Sequence, residues 1–134
     1  MYTNKKILHK DLSYRVIGLA MEVHRKMGYG FLEKVYENSL MVLFNRDKVP
    51  AVQQAPINVR FEGEIVGNYI VDILVDDKII LELKCVETIA NVHRAQVLNY
   101  LKATGKHLGI ILNFAKEKLE YERLAFWFIR ANSC

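Results

Sequence analysis

From Ile65 to Val86 the chain reads as two aliphatic, β-branched runs, Ile65–Val75 and Ile79–Val86, joined by the polar triplet Asp76-Asp77-Lys78. Each run carries a carboxylate where an ordinary core strand has none: Asp72 in the first and Glu82 in the second. A carboxylate withdrawn from water without a partner costs roughly several kcal/mol, or takes up a proton instead. The fold must give both groups company, and this constrains it more than any other feature. Strand alternation places Ile70 and Leu74 on the face of Asp72, with Val71, Ile73 and Val75 on the other, so Asp72 is expected in a strand buried on both sides. Glu82 and Lys84, two apart, share a face of the next strand, while Leu81, Leu83 and Cys85 point the opposite way.

Register decides whether the two carboxylates meet. A three-residue loop at Asp76-Asp77-Lys78 pairs Val75 with Ile79 and sets Asp72 opposite Glu82; a two-residue loop sets Asp72 opposite Leu81. We expect the three-residue loop, because a divalent cation with oxygen ligands readily stabilises two such carboxylates side by side. The plainer alternative is a buried or edge salt bridge among Asp72, Glu82 and Lys84 with no chemical role, since charged residues alternating with apolar ones commonly mark a half-solvated sheet. Spacing alone leaves both open.

The segments around this hairpin are legible by period. Asp11 suits the N-cap of a first helix with Ile17, Ala20, Met21, His24 and Met27 on one face, and Gly28 stops it. After the turn Gly28-Tyr-Gly30 a second helix runs from Phe31 to Asp47, carrying Leu32, Val35, Tyr36, Leu40 and Leu43, until Lys48-Val-Pro50 breaks it. Ala51–Phe61 and the turn Glu62-Gly63 precede the two runs and complete a three-stranded antiparallel meander. Asn91–Thr104 returns to helical period through Val97, Leu98 and Leu101 and ends at Gly105. Strands at His107–Phe114 and Tyr121–Ile129 follow. The last contains Leu124-Ala-Phe-Trp-Phe-Ile129, apolar on both faces, which puts it centrally in the sheet or against a second subunit.

The length of 134 residues suits one domain over the whole of 1–134, and two prolines with seven glycines are too few for a disordered or fibrous chain. Internal repeats, low-complexity tracts and long linkers are absent from the sequence. The first ten residues lack the apolar core of a secretion signal, and no stretch approaches about 18 uninterrupted apolar residues, so a cytoplasmic protein that does not enter the membrane is expected. Cys85 and Cys134 have neither metal-ligand nor redox spacing and are expected as free thiols. The net charge of +4 is scattered; it suits a phosphate backbone as partner but specifies none.

Val71-Asp72 followed by Leu81-Glu82-Leu83-Lys84 resembles the D…(D/E)XK signature of the PD-(D/E)XK nuclease superfamily, with Val71 where the name has proline. Gly30-Phe-Leu-Glu33-Lys-Val-Tyr36 matches the motif of the GxxExxY protein family, which is assigned to that superfamily, and the likeness runs from about Asp11 to Phe114. The resemblance implies an α/β (α+β) fold with a restriction-endonuclease-like core: helices, three antiparallel strands, a helix and further strands, as a mixed central sheet flanked by helices.

It also implies a site. Asp72 and Glu82 would hold Mg²⁺ or Mn²⁺, with the backbone carbonyl of Leu83 and the helix-borne Glu33 as further ligands. Lys84 would orient or activate water and neutralise charge on a scissile phosphate. Gln96 and Tyr100, four apart on the third helix, resemble a QxxxY element that supports the site or touches DNA, and His93 shares their face. Tyr36, from the motif, and His24, on the apolar stripe of the first helix, are expected to support the site. For Glu33 the alternative is a solvated glutamate paired with Lys34 or Lys26; for Cys85, core packing is expected over any role as nucleophile. The implied function is a metal-dependent nuclease acting on nucleic acid, DNA in particular, with homodimers a common form of such enzymes. The alternative is a nuclease-like module that binds nucleic acid or a protein partner without cutting.

Overall fold

Two reversals with left-handed backbone set the meander. Glu62 and Gly63 (φ 52° and 84°) turn the chain between Phe61 and Glu64, while Asp76 and Asp77 (φ 50° and 55°) do so between Val75 and Ile79. Aspartate tolerates this region better than most side chains, because its short carboxylate can bond locally. The computed structural model describes residues 8–127. Their order is α1 (Lys10–Met27), α2 (Glu33–Arg46), β1 (Ala51–Phe61), β2 (Glu64–Val75), β3 (Ile79–Lys84), α3 (Asn91–Thr104), β4 (Leu108–Asn113) and β5 (Glu120–Ala125).

The sheet order is β1-β2-β3-β4-β5. Consecutive strands pair antiparallel except β3 and β4, which run parallel because α3 carries the chain back between them. One face, with Ile73, Val75, Ile79, Leu81, Leu83, Ile110 and Leu112, packs on α1 and α2. The other, with Ile80 and Ile111, packs on Val97, Tyr100 and Leu101 of α3. This is the α+β layering expected, with helices on both sides of a mixed sheet.

Several local expectations give way to tertiary contacts. The helix α1 begins at Lys10, so Asp11 lies in its first turn, and His9, in left-handed conformation, takes the N-cap position. Its buried stripe runs through Ser13, Val16, Ala20 and Val23, which leaves Met21 exposed. The buried face of α2 is Tyr36, Glu37, Leu40 and Phe44, whereas Leu32 precedes the helix as an exposed, extended residue. β3 stops at Lys84, short of Val86, because the Asn113 side chain takes both backbone groups of Val86: it accepts from N–H at 3.0 Å and donates to C=O at 2.8 Å.

β5 is an edge strand rather than a central one, and its paired residues are the mixed Glu120–Ala125; Phe128 and Ile129 lie outside the described residues. Nor is β2 buried on both sides. Its pairing with β3 reaches only Ile73, and beyond that point β1 and β2 run on as a two-stranded arm with Ile65, Val66, Tyr69 and Ile70 exposed. Val71, expected on the face of Ile73, packs instead with Ala55 and Ile57 on the α3 side. The cause lies across the ladder: the β1–β2 pairing skips Gln54 and Asp72, and Gln54 has φ 55°. A left-handed residue within a strand kinks it and turns the following side chains.

Candidate active site

β2 and β3 pair at Ile73↔Leu81, Leu74↔Ile80 and Val75↔Ile79. The next pair in this register is Asp72 and Glu82, as the three-residue loop requires, and there side chains take over from the backbone ladder. The N–H of Asp72 donates to Glu82 Oε2 at 2.9 Å, and the N–H of Leu83 donates to Asp72 Oδ2 at 2.8 Å. Among the described residues, Asp72 Oδ1 and Glu82 Oε1 receive no protein hydrogen bond. A residue's N–H and C=O leave an extended strand on the same side, so the Leu83 carbonyl faces the gap that Asp72 closes.

Crowding two carboxylates here favours their neutral forms. Burial, followed by the charge of Asp72, pushes the Glu82 carboxyl up to about 8, against the stabilising Asp72 N–H and the Lys84 ammonium. Asp72 is also raised, first by burial and then by the charges of Glu37 and Glu33, with the Leu83 N–H opposing. A cation at the gap would oppose both shifts, since its charge favours the ionised carboxylates.

Lys84 Nζ donates to Gln96 Oε1 at 3.2 Å, and Gln96 Nε2 donates to Tyr100 Oη at 3.1 Å, so α3 holds the lysine through a two-bond relay. Burial and the nearby Glu82 charge raise the Tyr100 hydroxyl above its usual range, which keeps it a proton donor. Glu33, in the first turn of α2, accepts the N–H of Cys85 at 3.1 Å just past the end of β3. The structure thus gathers Asp72, Glu82, Leu83, Lys84, Glu33, Gln96 and Tyr100.

It sets three expected residues elsewhere. Tyr36 is fully buried and stacked on Phe114 at 4.5 Å; its hydroxyl donates to the Gly28 carbonyl at 2.7 Å and accepts from the Phe31 N–H at 3.1 Å. That latches the α1–α2 corner, which places Glu33. His24 bonds the Lys116 carbonyl through Nε2 at 2.7 Å. His93 Nδ1 accepts the Ala90 N–H at 2.9 Å, at the start of α3. Cys85 is half-buried; burial and the Glu33 charge raise its thiol, which does not suit a nucleophile.

Glu37 and Asn113 have no counterpart among the residues that sequence pattern singles out. Glu37 is 3% exposed and accepts from Lys34, Gln53 and Gln54, the last at 2.9 Å, tying α2 to the kink in β1 opposite Asp72. Its one sequence signal is its place four residues after Glu33, on the same helix face. Asn113 pins the segment that follows Lys84, and no local pattern marks it.

Among the described residues, no group of three or more His, Cys, Asp or Glu side chains is placed to hold a metal ion. The donors at the gap are hard oxygens: two carboxylates, each with one oxygen unbonded, and the Leu83 carbonyl. Hard divalent cations such as Mg²⁺ and Mn²⁺ prefer such a set and keep waters in the remaining positions.

A family model of the PD-(D/E)XK nuclease superfamily matches residues 10–124. Among solved structures, the crystal structure of SSO0001 superposes with a TM-score of 0.56 at 13% identity, over 69% of this chain and 48% of that one. This chain therefore spans about half the length of that protein, and the likeness is one of fold. No curated protein matches the sequence.

Proposed function

We propose, for a chain that belongs to the PD-(D/E)XK nuclease superfamily, that it is a metal-dependent nuclease hydrolysing phosphodiester bonds of nucleic acid, DNA in particular. The carrying observation is the Asp72–Glu82 pair: two carboxylates held across one strand register, Glu82 by the backbone N–H of Asp72 and Asp72 by that of Leu83, both raised in pKa, with Lys84 beside them. Asp72, Glu82 and the Leu83 carbonyl would hold Mg²⁺ or Mn²⁺, with Glu33 adding a carboxylate from α2. Bound there, the cation would supply Lewis-acid polarisation of the phosphate and a water of lowered pKa. Lys84 brings positive charge to the scissile phosphate and orients the water, while Gln96 and Tyr100 hold the lysine in place. Gly30, Glu33 and Tyr36 support the narrower placement in the GxxExxY family.

Cleavage of DNA in Mg²⁺ or Mn²⁺ is expected to fall at least ~100-fold in Glu82→Ala and in Lys84→Ala. Robust cutting by both variants sinks the reading. A second reading is favoured by one observation: Asp72, Glu82 and Glu33 each already accept a backbone N–H, so together they close the end of the hairpin without an ion. On that reading the chain is a nuclease-fold module that binds nucleic acid or a protein partner. Salt-sensitive DNA binding with no turnover in any metal would select it.

A further inference from the structure

The β1–β2 arm and α3 enclose an open cleft of about 690 Å³ that no step above uses. Gln96 and Tyr100 belong to both the cleft and the relay to Lys84, so one wall of the cleft leads to the acidic pair. Its chemistry differs from that pair. Arg60 and Lys102 supply positive charge, Asn58, Asn99 and Gln96 supply carboxamides, and none of the lining residues is a carboxylate. Tyr69 is half exposed there, its ring 5.8 Å from that of the largely buried Tyr100. Gly67 lies beneath it: a Cβ at that position would stand 3.3 Å from Tyr69 Cε2, so the glycine makes room for the ring against the arm.

We propose that this cleft takes an unpaired nucleotide of the substrate strand, and that the chain therefore acts on single-stranded rather than fully paired nucleic acid. An exposed aromatic ring is a stacking platform for any base, carboxamides can both donate to and accept from a base edge, and lysine and arginine track the backbone. A base offers its face to the Tyr69 ring only when it is unstacked and unpaired, since inside a duplex both faces of every base are covered by its neighbours. Its neighbouring phosphate then lies toward Lys84, which is where this inference rests on the phosphodiesterase reading above.

The test is fluorescence anisotropy of a labelled 12-nucleotide single strand and of the same strand in a blunt duplex, with the full chain and no added divalent metal. The single strand is expected to bind at least about tenfold tighter. Tyr69→Ala is expected to weaken single-strand binding roughly 5- to 150-fold, the loss that removing one base–aromatic stack brings, with duplex binding unchanged. Lys102→Ala, at an exposed helix position, should weaken single-strand binding and make what remains less sensitive to salt.

Equal affinity for duplex and single strand overturns the proposal. So does wild-type binding by both Tyr69→Ala and Lys102→Ala, competition by a mononucleotide as strong as by the oligonucleotide, or binding of neither nucleic acid. Cleavage is scored separately in Mn²⁺. A chain that prefers single strands through Tyr69 but never cuts loses the nuclease reading and keeps this one; a chain that cuts duplex and single strand alike, indifferent to Tyr69, does the reverse.

Discussion

Glu82 couples the chemistry of the site to the stability of the chain. Its carboxyl ionises at its ordinary value of 4.5 when unfolded and at about 8 when folded. Between those pH values the folded chain retains a proton that the unfolded chain has released, so stability in the absence of metal falls as pH rises through the window. Asp72, also raised, adds to the fall from the acidic side. The total is on the order of a few kcal/mol, since a tenfold change in an ionisation constant corresponds to about 1.4 kcal/mol. The expected outcome is a urea midpoint higher at pH 5.5 than at pH 8.5 without metal, and a much flatter profile in Glu82→Gln. A wild-type midpoint independent of pH would contradict it.

Among the elements, the position of α3 matters most, because it carries Gln96 and Tyr100 to Lys84. Two contacts fix it. Arg94 forms a two-bond ion pair with Glu122 of β5, and Gly109 of β4 lets the helix approach the sheet. A Cβ on Gly109 would stand 2.4 Å from Val97 Cγ1, with the Ile80 carbonyl at 3.6 Å behind it. Val97 is fully buried, and its β-branched side chain has few alternative rotamers in a helix. Gly109→Ala is thus an overpacking substitution and should destabilise the fold by about 1–3 kcal/mol, read as a lower denaturant midpoint with an unchanged slope. Since the helix must shift to relieve the clash, the proposed nuclease activity should fall more than stability alone explains. Unchanged midpoint and activity would mean that α3 is not seated by this contact. On the other side of the sheet, Glu37 performs a similar service for the arm, binding Gln53 and Gln54 where β1 kinks.

Across the whole molecule the charge is divided. The chain is net positive by four, a charge that would draw a phosphate backbone from a distance, yet its centre gathers Asp72, Glu82, Glu33 and Glu37, which would repel one at close range. A cation bound at the acidic pair, as proposed, would reconcile the two, and binding only the native state it would stabilise the fold, by about 2.7 kcal/mol at a hundred times its dissociation constant. The carboxylates must shed their protons to bind it, so Mn²⁺ should raise the melting temperature more at pH 8 than at pH 6. The double variant Asp72→Asn with Glu82→Gln should show no such rise, and should be more stable than the wild type without metal. An equal Mn²⁺ response in that variant would place the ion elsewhere. No described helix is long and apolar enough to cross a membrane.

What the sequence determined by itself was local. The alternation of apolar residues and the polar loop Asp76-Asp77-Lys78 between Val75 and Ile79 left two registers open, the need to stabilise two buried carboxylates favoured the one in which Asp72 meets Glu82, and the spacing of Gln96 and Tyr100 put them on one helix face. These follow from backbone sterics and period, which act over a few residues. Tertiary structure decided the rest: the kink at Gln54 that turns Val71 to the other core, the burial of Glu37, the capping of Val86 by Asn113, and the reduction of the last strand to an edge. Each depends on a partner many residues away, so its energy appears only once helices and sheet have packed. The acidic pair was legible because its partners are joined by a tight turn; the walls around it were not, because the chain assembles them from opposite ends.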